Sequence, residues 1–249
     1  SGKALLFFDP VTGAYIKETF TEEEVSALFD YERADHGILI TNMEGYADTI
    51  GIPLTTFDHP DVVLVAPRND NMGFVDGLNG NKSTNVKNLH CIMGLKLWSF
   101  LTGVDLHAIY LRTDDNIRAD PGSRPEKEAE WLLELARWEA STGLTARRLE
   151  VPTALRDLSS WTESPTVLNL DRRINDCFHK LLAILDLYES NGHSSRLRVP
   201  LVLARSVITE CLAGNPVPKL DRSQEDYGAD LGPSQIRTSI MTGAAHRTR

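Results

Sequence analysis

Four acidic residues stand where strands are predicted to end and helices to begin, and together they could hold divalent metal ions. Asp9 follows an apolar run, Asp70 follows a β-branched run, and Glu44 and Asp120 lie near predicted helix starts. Because clustered carboxylates repel one another unless a hard cation lies among them, their convergence at one sheet rim would favour Mg²⁺. Two such ions stabilise the attacking water and the leaving oxygen in phosphodiester cleavage.

Each acid also has a purely structural interpretation. Asp9 precedes Pro10 and can shape a tight turn. Glu44 can be a favourable charge in the first turn of a helix capped by Asn42, and Asp70 and Asp120 can be helix caps. Residue types and spacing alone leave both interpretations open.

Apolar patterning predicts the elements that would position these acids. Short β-branched or alternating runs predict strands, and apolar residues at three- and four-residue spacing predict amphipathic helices. The predicted strands are 4–8 and 14–20, which form a hairpin, and 38–40, 61–66 and 104–111. The main predicted helices are 86–101, 126–142, 172–190 and 200–213.

Composition restricts the partners and the compartment. The chain has 249 residues, 41% apolar, with a net charge of -9, so charge alone does not favour nucleic-acid binding. A local basic strip from Lys82 to Arg124 would be needed, although a solvated surface explains those charges equally well. No apolar run approaches the roughly 20 residues of a membrane helix, so no membrane partner is expected. Three cysteines without a CxxC pair favour a reducing, intracellular location (cytoplasm or nucleus).

Three short motifs and a helix carry a resemblance to a known family. The motifs are Asn42-Met43-Glu44, Arg68-Asn69-Asp70-Asn71 and the segment from Asn116 to Arg124, and the helical segment runs from Ser83 to Trp98. In this order they resemble the ribonuclease H domain of retroelement reverse transcriptases, closest in pattern to the tyrosine-recombinase (DIRS-like) class. The resemblance covers roughly residues 4–124.

The resemblance implies an α/β fold and a division of the chain. Residues 1–124 would form a ribonuclease H-like domain, whose mixed five-stranded sheet is flanked by helices. A composition shift near residue 125 predicts a helical C-terminal extension over 125–213, and the Pro/Gly/Ser-rich stretch 214–249 is predicted to be a disordered tail.

The activity implied by the resemblance is endonucleolytic cleavage of the RNA strand of RNA–DNA hybrids, with Mg²⁺ or Mn²⁺ as cofactor. The implied partners are the hybrid and the other domains of a reverse-transcriptase polyprotein. Asp9, Glu44, Asp70 and Asp120 would be the catalytic metal ligands, and the implied substrate-binding residues are Asn71, Tyr110, Asn116 and Arg124.

Two departures from the family pattern keep alternatives open. Tyr110 stands where the family has a histidine that is thought to assist product release, and Asp9-Pro10 replaces the usual first-acid motif. A catalytically inactive module of the same fold, with a structural or nucleic-acid-binding role, is the main alternative. An integrase- or resolvase-like nuclease acting on DNA is the other.

Overall fold

The computed structural model describes residues 4–23, 39–82, 86–156 and 170–213, and within them it confirms the mixed α/β class. The strands are β1 (Ala4–Phe8), β2 (Ala14–Thr19), β3 (Leu64–Val65), β4 (Arg68–Asn69), β5 (Asp105–Leu106), β6 (Ile109–Tyr110) and β7 (Arg147–Arg148). The α-helices are α1 (Leu39–Thr56), α2 (Met72–Gly80), α3 (Val86–Thr102), α4 (Ala119–Gly122), α5 (Glu128–Thr142), α6 (Thr153–Arg156), α7 (Leu170–Ser190) and α8 (Leu201–Leu212). Short 3₁₀ turns cover Thr113–Asp115, Pro125–Lys127 and Ser194–Arg196. The predicted tail 214–249 lies outside the described residues.

Strands β1 and β2 form the predicted antiparallel hairpin, in which Ala4 pairs with Thr19 and Phe8 with Tyr15. The connecting turn closes with a hydrogen bond of 2.8 Å from the Gly13 amide to the Asp9 carbonyl. Gly13 has a φ of +76°, a conformation that glycine adopts without the steric cost a Cβ would bring. Strand β7 adds to β2 in parallel and completes a three-stranded sheet.

Strand β1 is covered on both faces, which explains its continuous apolar run. On one face helix α1 packs so closely that a Cβ on Gly51 would lie 2.1 Å from the Phe7 ring. On the other, the Phe8 ring meets Trp131 of α5 edge-on, with centroids 6.0 Å apart. A strand buried on both sides cannot alternate polar and apolar residues.

Residues 63–69 and 105–111 run side by side in parallel, the first segment reaching past the end of the predicted strand 61–66, and each segment is divided into two short strands. Amide donors of residues 105, 107, 109 and 111 bond to the carbonyls of residues 63, 65, 67 and 69. Pro67 lies in the middle of the first strand and has no N–H to donate, so the ladder is interrupted there. The result is two strand pairs, β3–β5 and β4–β6.

The predicted five-stranded sheet is not seen among the described residues, where one three-stranded sheet and two strand pairs stand separately. The proline break shortens the central pieces to two residues each. Strand patterning predicts which residues are extended, whereas the joining of separate sheets depends on pairing between distant segments.

Helix α1 begins earlier than predicted. It starts at Leu39, so Asn42 lies inside the helix rather than at its cap, and Glu44 lies in the second turn. Residues 39 and 40, which were predicted to belong to a short strand, form the first residues of this helix instead.

A single hydrophobic core joins the first part of the chain to the helices that follow. Trp98 of α3 and Leu185 of α7 belong to the same buried cluster, and so do Leu155 and Ile208. The domain boundary at residue 124 therefore stays a prediction. No helix in the described ranges has the length and apolar content needed to cross a membrane.

Candidate functional site

A cavity of about 350 Å³ lies between helix α1, the end of β4 and the segment before α4, with β1 along one side. It brings together residues from all three motifs singled out in the sequence. Its charged lining consists of five acids and three arginines: Glu44, Asp48, Asp70, Asp115, Asp120, Arg68, Arg118 and Arg124.

Helix α1 contributes two of the acids, Glu44 and Asp48. They are four residues apart, so they lie one above the other on the same helix face. Glu44 is partly exposed, whereas Asp48 is only 5% exposed. The Asn69 side-chain amide donates to Asp48 Oδ2 at 3.0 Å, which gives this buried carboxyl a partner.

The junction between β4 and α2 is built from asparagine side chains. The Asn71 amide N–H donates to Asn69 Oδ1 at 2.8 Å, and Asn71 Oδ1 accepts from the Phe74 amide at 3.0 Å as the N-cap of α2. The side chain of Asn71 also forms a hydrogen bond with Glu44. Asn71 thus caps α2 and also orients Glu44. The neighbouring Asp70 is therefore not the N-cap of this helix.

The segment from Asn116 to Arg124 supplies the remaining acid of the predicted set. The Asn116 amide donates to Asp70 Oδ2 at 3.4 Å, which links this segment to the end of β4. Asp120 lies in the first turn of α4 and accepts from Arg124 Nη2 at 2.6 Å and Arg124 Nε at 2.9 Å. Lys127 Nζ lies 3.9 Å from the other carboxylate oxygen.

The electrostatics of the cavity favour an added positive charge. Burial raises the pKa of Glu44 to about 7, and the nearby Asp70 carboxylate adds to the effect. Burial also raises the pKa of Asp48 to about 7, with a smaller contribution from Glu44, against the lowering effect of the Asn69 hydrogen bond. Either a proton or a bound cation would relieve this concentration of negative charge.

The structure places Glu44, Asp70 and Asp120 around one cavity but not Asp9. Asp9 is 1% exposed, and its carboxylate accepts from the Val11 amide at 2.9 Å and the Thr12 hydroxyl at 2.6 Å. Its side chain shapes the hairpin turn and does not line the cavity. These contacts are those of the turn interpretation, and the assignment of Asp9 as a metal ligand stays a prediction.

Three of the four predicted substrate-binding residues line the same cavity. Asn71, Asn116 and Arg124 line the cavity. Tyr110 does not, and lies in β6 with 41% of its surface exposed.

Sequence reasoning missed Asp48 and Asn69. Asp48 follows Glu44 by four residues, so a helical reading of that segment places both acids on one face. Asn69 belongs to the Arg68–Asn71 motif. Its hydrogen bond to Asp48, however, depends on the packing of β4 against α1, which the motif does not indicate.

The donor chemistry fits a hard divalent cation, although the side chains are not gathered into a finished metal site. Carboxylate oxygens are the ligands that Mg²⁺ prefers. Among the residues that the structure describes, however, no three His, Cys, Asp or Glu side chains form a group able to hold a metal ion. Asp120 is engaged by Arg124 and Asp48 by Asn69, which keeps these two carboxyls occupied with protein donors.

Comparison with known proteins identifies no relative. No family model matches the chain, and no curated protein or solved structure matches it significantly.

Proposed function

We propose that this chain is a metal-dependent ribonuclease H domain of a retroelement reverse-transcriptase polyprotein, cleaving the RNA strand of RNA–DNA hybrids. The observation that supports this most is the shared cavity of Glu44, Asp70 and Asp120, which come from three segments far apart in the chain. They are three of the four acids that the motif resemblance assigns to the metal site, the fourth being Asp9. Residues of β1 and β4, which belong to separate sheets, also line this cavity.

The chain's own residues would prepare the site in a defined way. Glu44, Asp70 and Asp120 would hold Mg²⁺ or Mn²⁺, which supplies an activated water and neutralises the leaving 3′-oxygen. Asn71 orients the Glu44 carboxylate, and Asn116 orients that of Asp70. The hybrid would be recognised through the shape of its minor groove and its 2′-hydroxyls rather than by sequence.

A second candidate function, an inactive module of the same fold, is favoured by specific contacts. Asp9 is used by the hairpin turn, and Asp120 is ion-paired with Arg124 at 2.6 Å. A site with one ligand absent and another neutralised could bind nucleic acid without cutting it.

Cleavage of a labelled RNA–DNA hybrid in the presence of Mg²⁺ distinguishes these functions. The informative variant is Asp70→Asn, and the matched control is Asp76→Asn, an exposed acid of α2 outside the cavity. Activity that is lost in Asp70→Asn and kept in Asp76→Asn supports the nuclease. Binding of the hybrid without cleavage supports the inactive module, and cleavage of duplex DNA instead would indicate an integrase-like enzyme.

A further inference from the structure

Two arginines in the cavity have buried donors without acceptors. The Nε atoms of Arg68 and Arg118 are both buried, and neither has a hydrogen-bond partner in the part of the chain that the structure describes. Both side chains line the cavity. The third arginine there, Arg124, differs because its guanidinium is bound by Asp120.

Both arginines are attached to fixed parts of the fold. Arg68 belongs to β4, and the carbonyls on either side of it, of Pro67 and Asn69, accept from the amides of Ile109 at 2.8 Å and Leu111 at 3.0 Å. The guanidinium carbon of Arg118 lies 5.9 Å from the centroid of the Phe8 ring, within cation–π range. The backbone of Arg68 and the guanidinium group of Arg118 are therefore held at the cavity before any ligand arrives.

A buried N–H without an acceptor is unfavourable, so these groups are suited to a ligand that brings acceptors. The planar guanidinium fork matches two oxygens of a phosphate, a geometry that a lysine cannot reproduce. The five acids in the same lining would repel an anion on its own. A phosphate would consequently bind best together with a divalent cation that offsets those carboxylates.

We propose that Arg68 and Arg118 form a phosphate-binding subsite, which takes a backbone phosphodiester of the nucleic-acid strand beside the carboxylates. This inference rests on the proposed function for the identity of the strand. Guanidinium binding would fix one phosphate within the cavity and so determine which linkage is presented to Glu44 and Asp70.

The test measures binding of a labelled RNA–DNA hybrid by fluorescence anisotropy, with Ca²⁺ in place of Mg²⁺ so that binding is read without cleavage. Arg68→Gln and Arg118→Gln should each weaken binding about tenfold and lower the slope of log K against log salt by about 1. Arg147→Gln, an exposed arginine on β7 outside the cavity, should stay within about twofold of the wild type.

A neutral methylphosphonate placed at one linkage at a time locates the contact. At the linkage that the arginines bind, this substitution should abolish the difference between the wild type and Arg68→Gln. Arg68→Lys and Arg118→Lys keep the charge but lose the guanidinium fork, and they replace a glutamine variant that fails to fold. Their affinity for the hybrid should lie between the wild-type and glutamine values.

The outcomes separate this inference from the proposed function. Hybrid cleavage with unchanged affinity and salt slope in the arginine variants would overturn the subsite and leave the nuclease standing. Arginine-dependent hybrid binding without any cleavage would support the subsite while the nuclease fails. If only free inorganic phosphate with Mn²⁺ responds to the substitutions, and the hybrid does not, the assignment to a nucleic-acid strand is overturned.

Discussion

The side-chain amide of Asn69 donates a hydrogen bond of 3.0 Å to the buried carboxyl of Asp48 and so ties helix α1 to the end of strand β4. The side-chain oxygen Oδ1 of Asn69 accepts from the backbone N–H of Asn71 at 2.8 Å, and the Asn71 side chain in turn contacts Glu44. These four polar residues thereby connect the helix and the strand that carry acids of the cavity.

Asn69→Ala should destabilise the fold, because it leaves the Asp48 carboxyl buried without its donor. The expected loss in unfolding free energy is about 1–3 kcal/mol. A double-mutant cycle with Asp48→Ala, measured by urea denaturation, should give a coupling energy of about 1–2 kcal/mol. Additive effects of the two substitutions would show that the hydrogen bond contributes nothing to stability.

Stability should fall as the pH rises through the acidic range, because the pKa values of Glu44 and Asp48 are raised to about 7 in the folded state. Below the pKa of the unfolded chain both states are protonated. Between about pH 4 and 7 the folded state retains protons that the unfolded state has lost, so each rise in pH favours unfolding.

The variant Asp48→Asn isolates this effect, since it removes one of the two titrating groups. As the pH rises from about 4 to about 8, the unfolding free energy of this variant minus that of the wild type should increase by on the order of 3 kcal/mol. Urea denaturation across that range provides the measurement. Parallel profiles for wild type and variant would mean that Asp48 ionises in the folded state as readily as in the unfolded chain.

Mn²⁺ should stabilise the protein at neutral pH, and the response should depend on Asp70 but not on Asp9. A cation at ten times its dissociation constant adds about 1.4 kcal/mol, which thermal denaturation with and without chelator detects. Asp70→Asn should abolish the increase in melting temperature. Asp9→Ala should lower the melting temperature through loss of the turn hydrogen bonds, yet leave the Mn²⁺ increment unchanged.

If Asp9→Ala also removed the Mn²⁺ increment, the first-strand acid would belong to the metal site after all. Asp76→Asn is the charge-matched control for Asp70→Asn, since this acid is exposed on α2 away from the cavity.

Gly51→Ala should disturb both stability and the cavity, because its Cβ would lie 2.1 Å from the Phe7 ring. Helix α1 or strand β1 must shift to admit the methyl group, at a cost of roughly 1–3 kcal/mol. Gly80→Ala is a matched control, since its Cβ would meet only the flexible Lys82 side chain at 3.4 Å. Equal urea midpoints for the two variants would contradict the close packing of α1 on β1.

Local patterns predicted the parts of the fold that local physics determines. The apolar spacing in residues 126–142 predicted α5, and the left-handed Gly143 at its end, with φ of +72°, is the expected C-terminal signal. The motif from Asn116 to Arg124 placed Asp120 correctly because its internal contacts span only a few residues.

Local sequence patterns did not predict the contacts between distant segments. The buried carboxyl of Asp48 accepts a hydrogen bond from Asn69 of strand β4, and no sequence periodicity predicts a contact between these two segments. The strand-end position of Asp9 likewise does not indicate which donors its carboxylate meets, and here they are the Val11 amide and the Thr12 hydroxyl. Pairing between distant segments also determines the sheets: among the described residues β1, β2 and β7 form one sheet, and Pro67 divides the remaining strands into two separate pairs.

The parallel strand β7 has a consequence for the order in which the chain assembles. The amides of Arg147 and Leu149 bond to the carbonyls of Gly13 and Tyr15 at 2.9 and 2.7 Å, so the β1–β2 hairpin gains its third strand only after the chain has passed through the whole cavity segment. Contacts of such long sequence separation slow folding and leave an edge exposed in the meantime. The three-stranded sheet is therefore expected to be completed late in folding, after the segments that line the cavity have formed their local structure.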